Sequence, residues 1–127
     1  MKGVEILLLA VGGVMGTLLR YRITESQIVL GAFYANVLIA NIIGSFLLGV
    51  FMILSQHWNL DAKYVLFVAV GFCGSLTTMS AFALQSSSMI DNKQFGLLAV
   101  NILGNVGLSI GAIYAGRVLT MLVTGAK

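Results

Sequence analysis

Two sets of neutral polar residues recur at intervals of four inside long apolar runs: Asn41 with Ser45, and Asn101, Asn105 and Ser109. That spacing places each set along one face of a helix. A third polar segment, Gly71-Phe-Cys-Gly-Ser-Leu-Thr-Thr-Met-Ser80, carries two glycines and four hydroxyls where a plain spanning helix would carry leucine. The middle of these runs contains no Asp, Glu, Lys, Arg or His. Amides and hydroxyls offer hydrogen-bond donors without a fixed charge. Proton-coupled transport, by contrast, needs a group that titrates at depth. Such polar groups also glue helices together, at about 0.6–2 kcal/mol each, and for a single asparagine the two readings are evenly matched. Two stripes and a polar segment together favour a lined polar track.

The medium around these stripes is set by composition. Of 127 residues, 59% are hydrophobic and 9% charged, and the mean hydropathy is +1.03. A soluble domain of this size could not hide so much apolar surface, so the expected solvent is a lipid bilayer. The net charge of +3 comes from cations scattered one or two per loop, without a patch, which argues against nucleic acid as a partner. The single Cys73 forms no intrachain disulfide and reads as a buried thiol, and the lone His57 has no ligating neighbours. Trp58 beside it suits an interfacial anchor. No constellation here reads as an enzyme's active site.

Hydropathy divides the chain into four spans in one transmembrane domain, at about 4–19, 28–55, 64–90 and 95–123. The N-terminus, with Lys2 before an apolar run, reads as a retained first helix. Counting cations by side gives Lys2, Lys63, Arg117 and Lys127 against Arg20, Arg22 and Lys93. Loop cations orient small membrane proteins, so this near balance predicts insertion both ways and an antiparallel, dual-topology homodimer. Small-residue spacings, Gly12 with Gly16, Gly44 with Gly49 and Gly107 with Gly111, predict close helix contacts.

Within the third span, Gly74 and the run Ser75-Leu-Thr-Thr78 are poor helix formers. A break there is expected, and the backbone groups it frees at membrane depth must face protein, an ion or water. Met79 and Phe82 follow, three residues apart on one face. An apolar pair at this spacing is ordinarily core.

The motifs Gly12-Gly-Val-Met-Gly16 leading to Arg20-Tyr21, Asn41-Ile-Ile-Gly44-Ser-Phe-Leu-Leu-Gly49, and Gly71-Phe-Cys-Gly74-Ser-Leu-Thr77-Thr78 through Ser80 and Phe82 are similar to those of the Fluc or CrcB family of small bacterial fluoride channels. The resemblance implies an all-α membrane protein, four helices per subunit with the third broken at mid-membrane, in an antiparallel homodimer of the bacterial inner membrane. It implies passive fluoride export through a pathway taking in Asn41, Met79, Ser80, Phe82, Asn105 and Ser109, with Arg20 at the mouth. It further implies a structural sodium ion at the dimer centre, held by the backbone carbonyls of Gly74 and Thr77. The family uses two phenylalanines whose electropositive ring edges face the anion. The first of these positions is Met79 here, which has no ring edge. The alternative reading, a small dual-topology proton-coupled multidrug or cation exporter, requires an embedded carboxylate on the first span. The only candidate is Glu5, close to the membrane edge.

Overall fold

The computed structural model describes residues 2–127 and is helical apart from one short hairpin. Helix α1 spans Gly3–Glu25 and α2 spans Asn36–His57. Between them lies a two-stranded hairpin, β1 (Val29–Leu30) and β2 (Phe33–Tyr34), turned at Gly31, whose φ of +63° suits glycine. Helix α3 covers Ala62–Asp91 and α4 covers Phe95–Thr124. All four are long and apolar enough to cross a membrane.

Two boundaries differ from the hydropathy reading. Helix α1 runs past Arg20 and Arg22 to Glu25, because long cationic side chains can reach the interface while the backbone stays helical. The second span begins at Asn36 rather than near Ile28, since the apolar residues before it form the hairpin. Asn36 donates from Nδ2 to the Thr24 carbonyl at 2.7 Å, tying the end of α1 to the start of α2. Phe33, Ala35, Leu38 and Met89 form a small buried cluster beneath the hairpin.

The helices pack in two close pairs, each built on glycine. A Cβ on Gly12 would fall on the Phe67 carbonyl, and one on Gly16 on the Phe72 carbonyl, so α1 lies against the first half of α3. Gly49 meets the Ile113 carbonyl and Gly116 the Phe46 carbonyl in the same way, joining α2 to the second half of α4. Gly107 and Gly111 do not join this scheme: nothing within the protomer lies within 4 Å of a Cβ at either. The close contact expected of them falls instead to Gly116, a turn further along α4.

Both long helices contain a wide π-helical stretch, Leu66–Cys73 in α3 and Gly104–Leu108 in α4. The second has a local cause. Asn105 Nδ2 bonds the Asn101 carbonyl at 2.9 Å, the acceptor its own backbone N–H would use in an α-helix. Little of each spanning stretch is buried within the protomer, between 11% and 22% of residues. One copy therefore leaves most of its apolar surface for lipid or for a second chain.

Candidate functional site

Helix α3 breaks at Thr77 and Thr78, whose backbones are extended (φ, ψ of −79°, 153° and −149°, 119°). Gly74, expected to start the break, is still helical and lies three residues ahead of it. The last regular bond before the break runs from Thr77 N–H to the Cys73 carbonyl at 3.0 Å, reinforced by Thr77 Oγ1 on the same oxygen at 3.0 Å. Helix resumes at Met79, with Thr78 as its cap: Thr78 Oγ1 accepts the Ala81 N–H at 3.1 Å. Gly44 on α2 makes room for the break, since a Cβ there would strike the Thr77 methyl.

The break releases the four backbone carbonyls from Gly74 to Thr77 from the partners that a continuous helix would give them. In a continuous helix the Gly74 carbonyl would accept from Thr78 N–H, and the Thr77 carbonyl from Ala81 N–H. Here Thr78 N–H donates to Asn41 Oδ1 at 2.7 Å, and Ala81 N–H to Thr78 Oγ1. Gly74 and Thr77, the first and last of the four, are the carbonyls the sequence resemblance assigns to a cation. Neutral oxygen donors suit a monovalent ion of hard character better than a transition metal. No group of three or more His, Cys, Asp or Glu able to hold a metal occurs among the described residues.

Asn41 closes the break from α2. Its Oδ1 takes the Thr78 N–H, and its Nδ2 reaches back to the Thr78 carbonyl at 3.3 Å, as a neighbouring peptide would. The same Nδ2 donates to Asn105 Oδ1 at 2.8 Å. Asn105 Nδ2 donates to Asn101 Oδ1 at 2.9 Å, and Asn101 Nδ2 to Ser86 Oγ at 3.0 Å. A chain of amides thus leads from the break, through α2 and α4, to the helix beyond the break.

The expected pathway residues fall around two hollows that share Thr78. A groove of about 390 Å³ is lined by Asn41, Thr77, Met79, Phe82, Asn105 and Ser109, with Gly74 at its wall. A hollow of about 440 Å³ holds Arg20 and Ser80, with Thr17 and Thr24. Ser80 Oγ lies 3.2 Å from Thr78 Oγ1, so hydroxyls continue from one hollow toward the other. A third, of about 720 Å³, borders the second at Thr24, Ala81 and Leu84 and extends to Asn36 and Gln85 under the hairpin.

The candidates differ in what they have free to offer. Ser109 Oγ is buried without a partner, so its hydroxyl hydrogen is unclaimed. Both Asn105 N–H bonds are spent on Asn101, and Asn105 shapes the groove rather than donating into it. Asn41 has one short bond and one long one, and the long one, to Thr78, is the weaker hold. Met79 is 73% exposed at the groove mouth, whereas Phe82 is half-buried. Glu5 lies in the first turn of α1, where its carboxylate accepts the Lys2 backbone N–H at 2.9 Å. It caps the helix end, away from mid-membrane. The sequence register puts Asn101 on the polar stripe with Asn105, but neither it nor Ser86 is among the expected pathway residues, and nothing in sequence links Ser86 to Asn101.

The comparisons with known proteins bear on what such a site carries. A family model described as CrcB-like protein, Camphor Resistance (CrcB), matches residues 7–117. Over 119 residues the chain is 60% identical to a protein of Nitrosopumilus maritimus named fluoride-specific ion channel FluC, covering 94% of each. A protein of the same name from Methanococcus maripaludis is 38% identical over 117 residues, covering 92% of this chain and 96% of that one. One from Sulfurihydrogenibium sp. is 38% identical over 123 residues, covering 92% and 97%.

Proposed function

This chain belongs to the CrcB family, and from that premise we propose that it is a passive, fluoride-selective channel rather than an enzyme. The observation that carries the reading is the break at Thr77 and Thr78. A broken helix turns two opposite ends toward one place: carbonyls from the first half, and the N–H groups that open the second. The carbonyl end favours a cation, and the N-terminal end, with Asn41 and the free Ser109 hydroxyl beside it, favours an anion. Fluoride is small and strongly hydrated, so it needs several donors in succession. It does not need a fixed positive charge at depth, which would trap it.

The assembly is an antiparallel homodimer in the membrane that encloses the cytoplasm, the inner membrane in a bacterium. The balanced cations and the large unburied apolar surface support it. Fluoride entering the cell as its neutral acid ionises inside, and an inside-negative potential then drives the anion out through Ser80, Met79, Phe82 and the Asn41 donors, with Arg20 at the mouth. Sodium is the cation the released Gly74 and Thr77 carbonyls would hold from both subunits; bound there, it supplies a fixed point of contact between the two broken helices. The exporter alternative is disfavoured because the two carboxylates on α1, Glu5 and Glu25, lie at its two ends, Glu5 as a helix cap.

Efflux from proteoliposomes tests the function. Fluoride should leave rapidly and chloride hardly at all, without a proton gradient, and activity should fall when a large organic cation replaces sodium during purification and reconstitution. Equal fluoride and chloride rates, or fluoride flux only with a proton gradient, would reject the channel reading. Sodium-independent flux from exhaustively exchanged protein would reject the cation site alone. Topology has its own test: C-terminal reporters should appear on both sides of the membrane, and two or three added lysines on one side should fix the orientation and abolish function of that chain expressed alone. A single orientation for the unmodified chain would remove the antiparallel dimer.

A further inference from the structure

Of the six threonines in the chain, five have hydroxyls with a definite task. Thr24, Thr77, Thr120 and Thr124 each donate to the backbone carbonyl four residues back, at 2.9, 3.0, 2.7 and 2.6 Å. Thr78 caps the resumed helix. The sixth, Thr17, lies well inside α1, yet its hydroxyl bonds nothing among the described residues, not even the Gly13 carbonyl four residues back. A helical threonine facing hydrocarbon turns its hydroxyl onto its own backbone, because lipid offers no other partner. A hydroxyl left free at this depth has something else to meet.

Thr17 lines the hollow of about 440 Å³ that holds Arg20 and Ser80. Thr17 and Arg20 are three residues apart on one face of α1, with Thr17 about 4.5 Å deeper along the axis. Ser80 stands on the wall supplied by the second half of α3. The other two threonines of the hollow are committed, Thr24 to the carbonyls of Arg20 and Tyr21, Thr78 to the Ala81 N–H and to Ser80 Oγ.

We infer that Thr17 is a fluoride-contacting residue, whose hydroxyl takes the ion from Arg20 at the mouth and passes it inward to Ser80. The inference deepens the channel reading above and rests on it. A guanidinium draws the anion out of water but would also hold it. A neutral hydroxyl one turn deeper replaces one water of the ion's shell and then lets go. The same side chain also borders a groove of about 430 Å³ with Gly13 and Ser75. A hydroxyl turned that way would serve contact with a second chain and leave the ion untouched.

The test reconstitutes the full chain in liposomes with Thr17→Val, Thr17→Ala, Thr17→Ser, Ser80→Ala, and Thr17→Val combined with Ser80→Ala. Valine keeps the shape of threonine, and alanine is the better helix former. Thermal stability and the dimer fraction are measured on the same preparations. At low fluoride, flux per folded dimer should fall about fivefold in Thr17→Val and Thr17→Ala, and the loss should shrink as fluoride is raised. Thr17→Ser, which keeps the hydroxyl, should recover most of the flux. The losses of Thr17→Val and Ser80→Ala should not multiply in the double variant, because both hydroxyls grip one ion. Unchanged flux per dimer in the valine and alanine variants overturns the inference. So does a loss that merely follows the dimer fraction, which would place the hydroxyl in the groove, and so do losses that multiply in full. A wild-type chain that conducts no fluoride would instead remove the channel reading itself.

Discussion

Asn41→Asp will reduce fluoride flux per dimer by at least about a hundredfold while leaving the break folded. The substitution keeps the oxygen that receives Thr78 N–H, so the extended backbone at Thr77 and Thr78 retains its partner from α2. It removes both N–H groups that now reach Asn105 and the Thr78 carbonyl. Hydrogen bonds to a charged partner are worth about 1.5–3 kcal/mol each, and the variant also turns an acceptor toward an anion. Flux and thermal stability measured on the same preparations check the result. A variant that melts near the wild type and still conducts would show that Asn41 only fastens the break and gives fluoride nothing.

Phe82→Ile will slow fluoride about tenfold with the dimer intact, and Met79→Phe will leave flux unchanged or raise it. Isoleucine keeps most of the volume and hydrophobicity of phenylalanine but has no electropositive ring edge to stand in for lost hydration. Both residues line the groove at the foot of the second half of α3. Met79 is 73% exposed, so a ring at that position has open space within the protomer and overpacking is not expected there. Flux per folded dimer separates a pathway residue from a packing one. If flux falls only with the amount of folded protein, Phe82 is core and has no part in conduction.

The spans themselves were legible because burial in lipid demands long apolar runs, and the composition of this chain permits nothing else. The break was legible too: Ser75, Thr77 and Thr78 compete for backbone carbonyls, and the structure opens at the two threonines. The sequence brackets the break between Gly74 and Thr78 but not its exact point, because what stops the helix is a distant side chain, Asn41 on α2, which takes the Thr78 N–H. Gly74 looked like the weak point by propensity, yet its residue conformation remains helical. The same limitation explains Asn105. Its register put it on the polar stripe, but only the fold reveals that its donors are consumed by Asn101. The hairpin before α2 was missed because Ile28 to Tyr34 is apolar enough to pass for membrane span, and two-residue strands give no periodicity to read.

The wide π-helical stretch Leu66–Cys73 sits just upstream of the break. Each residue of an α-helix turns the next by about 100°, so the phase accumulated through this stretch determines where Thr77, Thr78 and Phe82 point. Deleting a single residue from it would yield a more regular helix and, on its own terms, a better one. It would also change the phase of everything after it, turning Thr78 away from Asn41 and carrying Phe82 off the groove. The third span therefore tolerates changes of residue far better than changes of length, and insertions or deletions accepted during divergence belong in the linkers around residues 58–61 and 92–94, where one residue more or less leaves the phase of the ion path untouched.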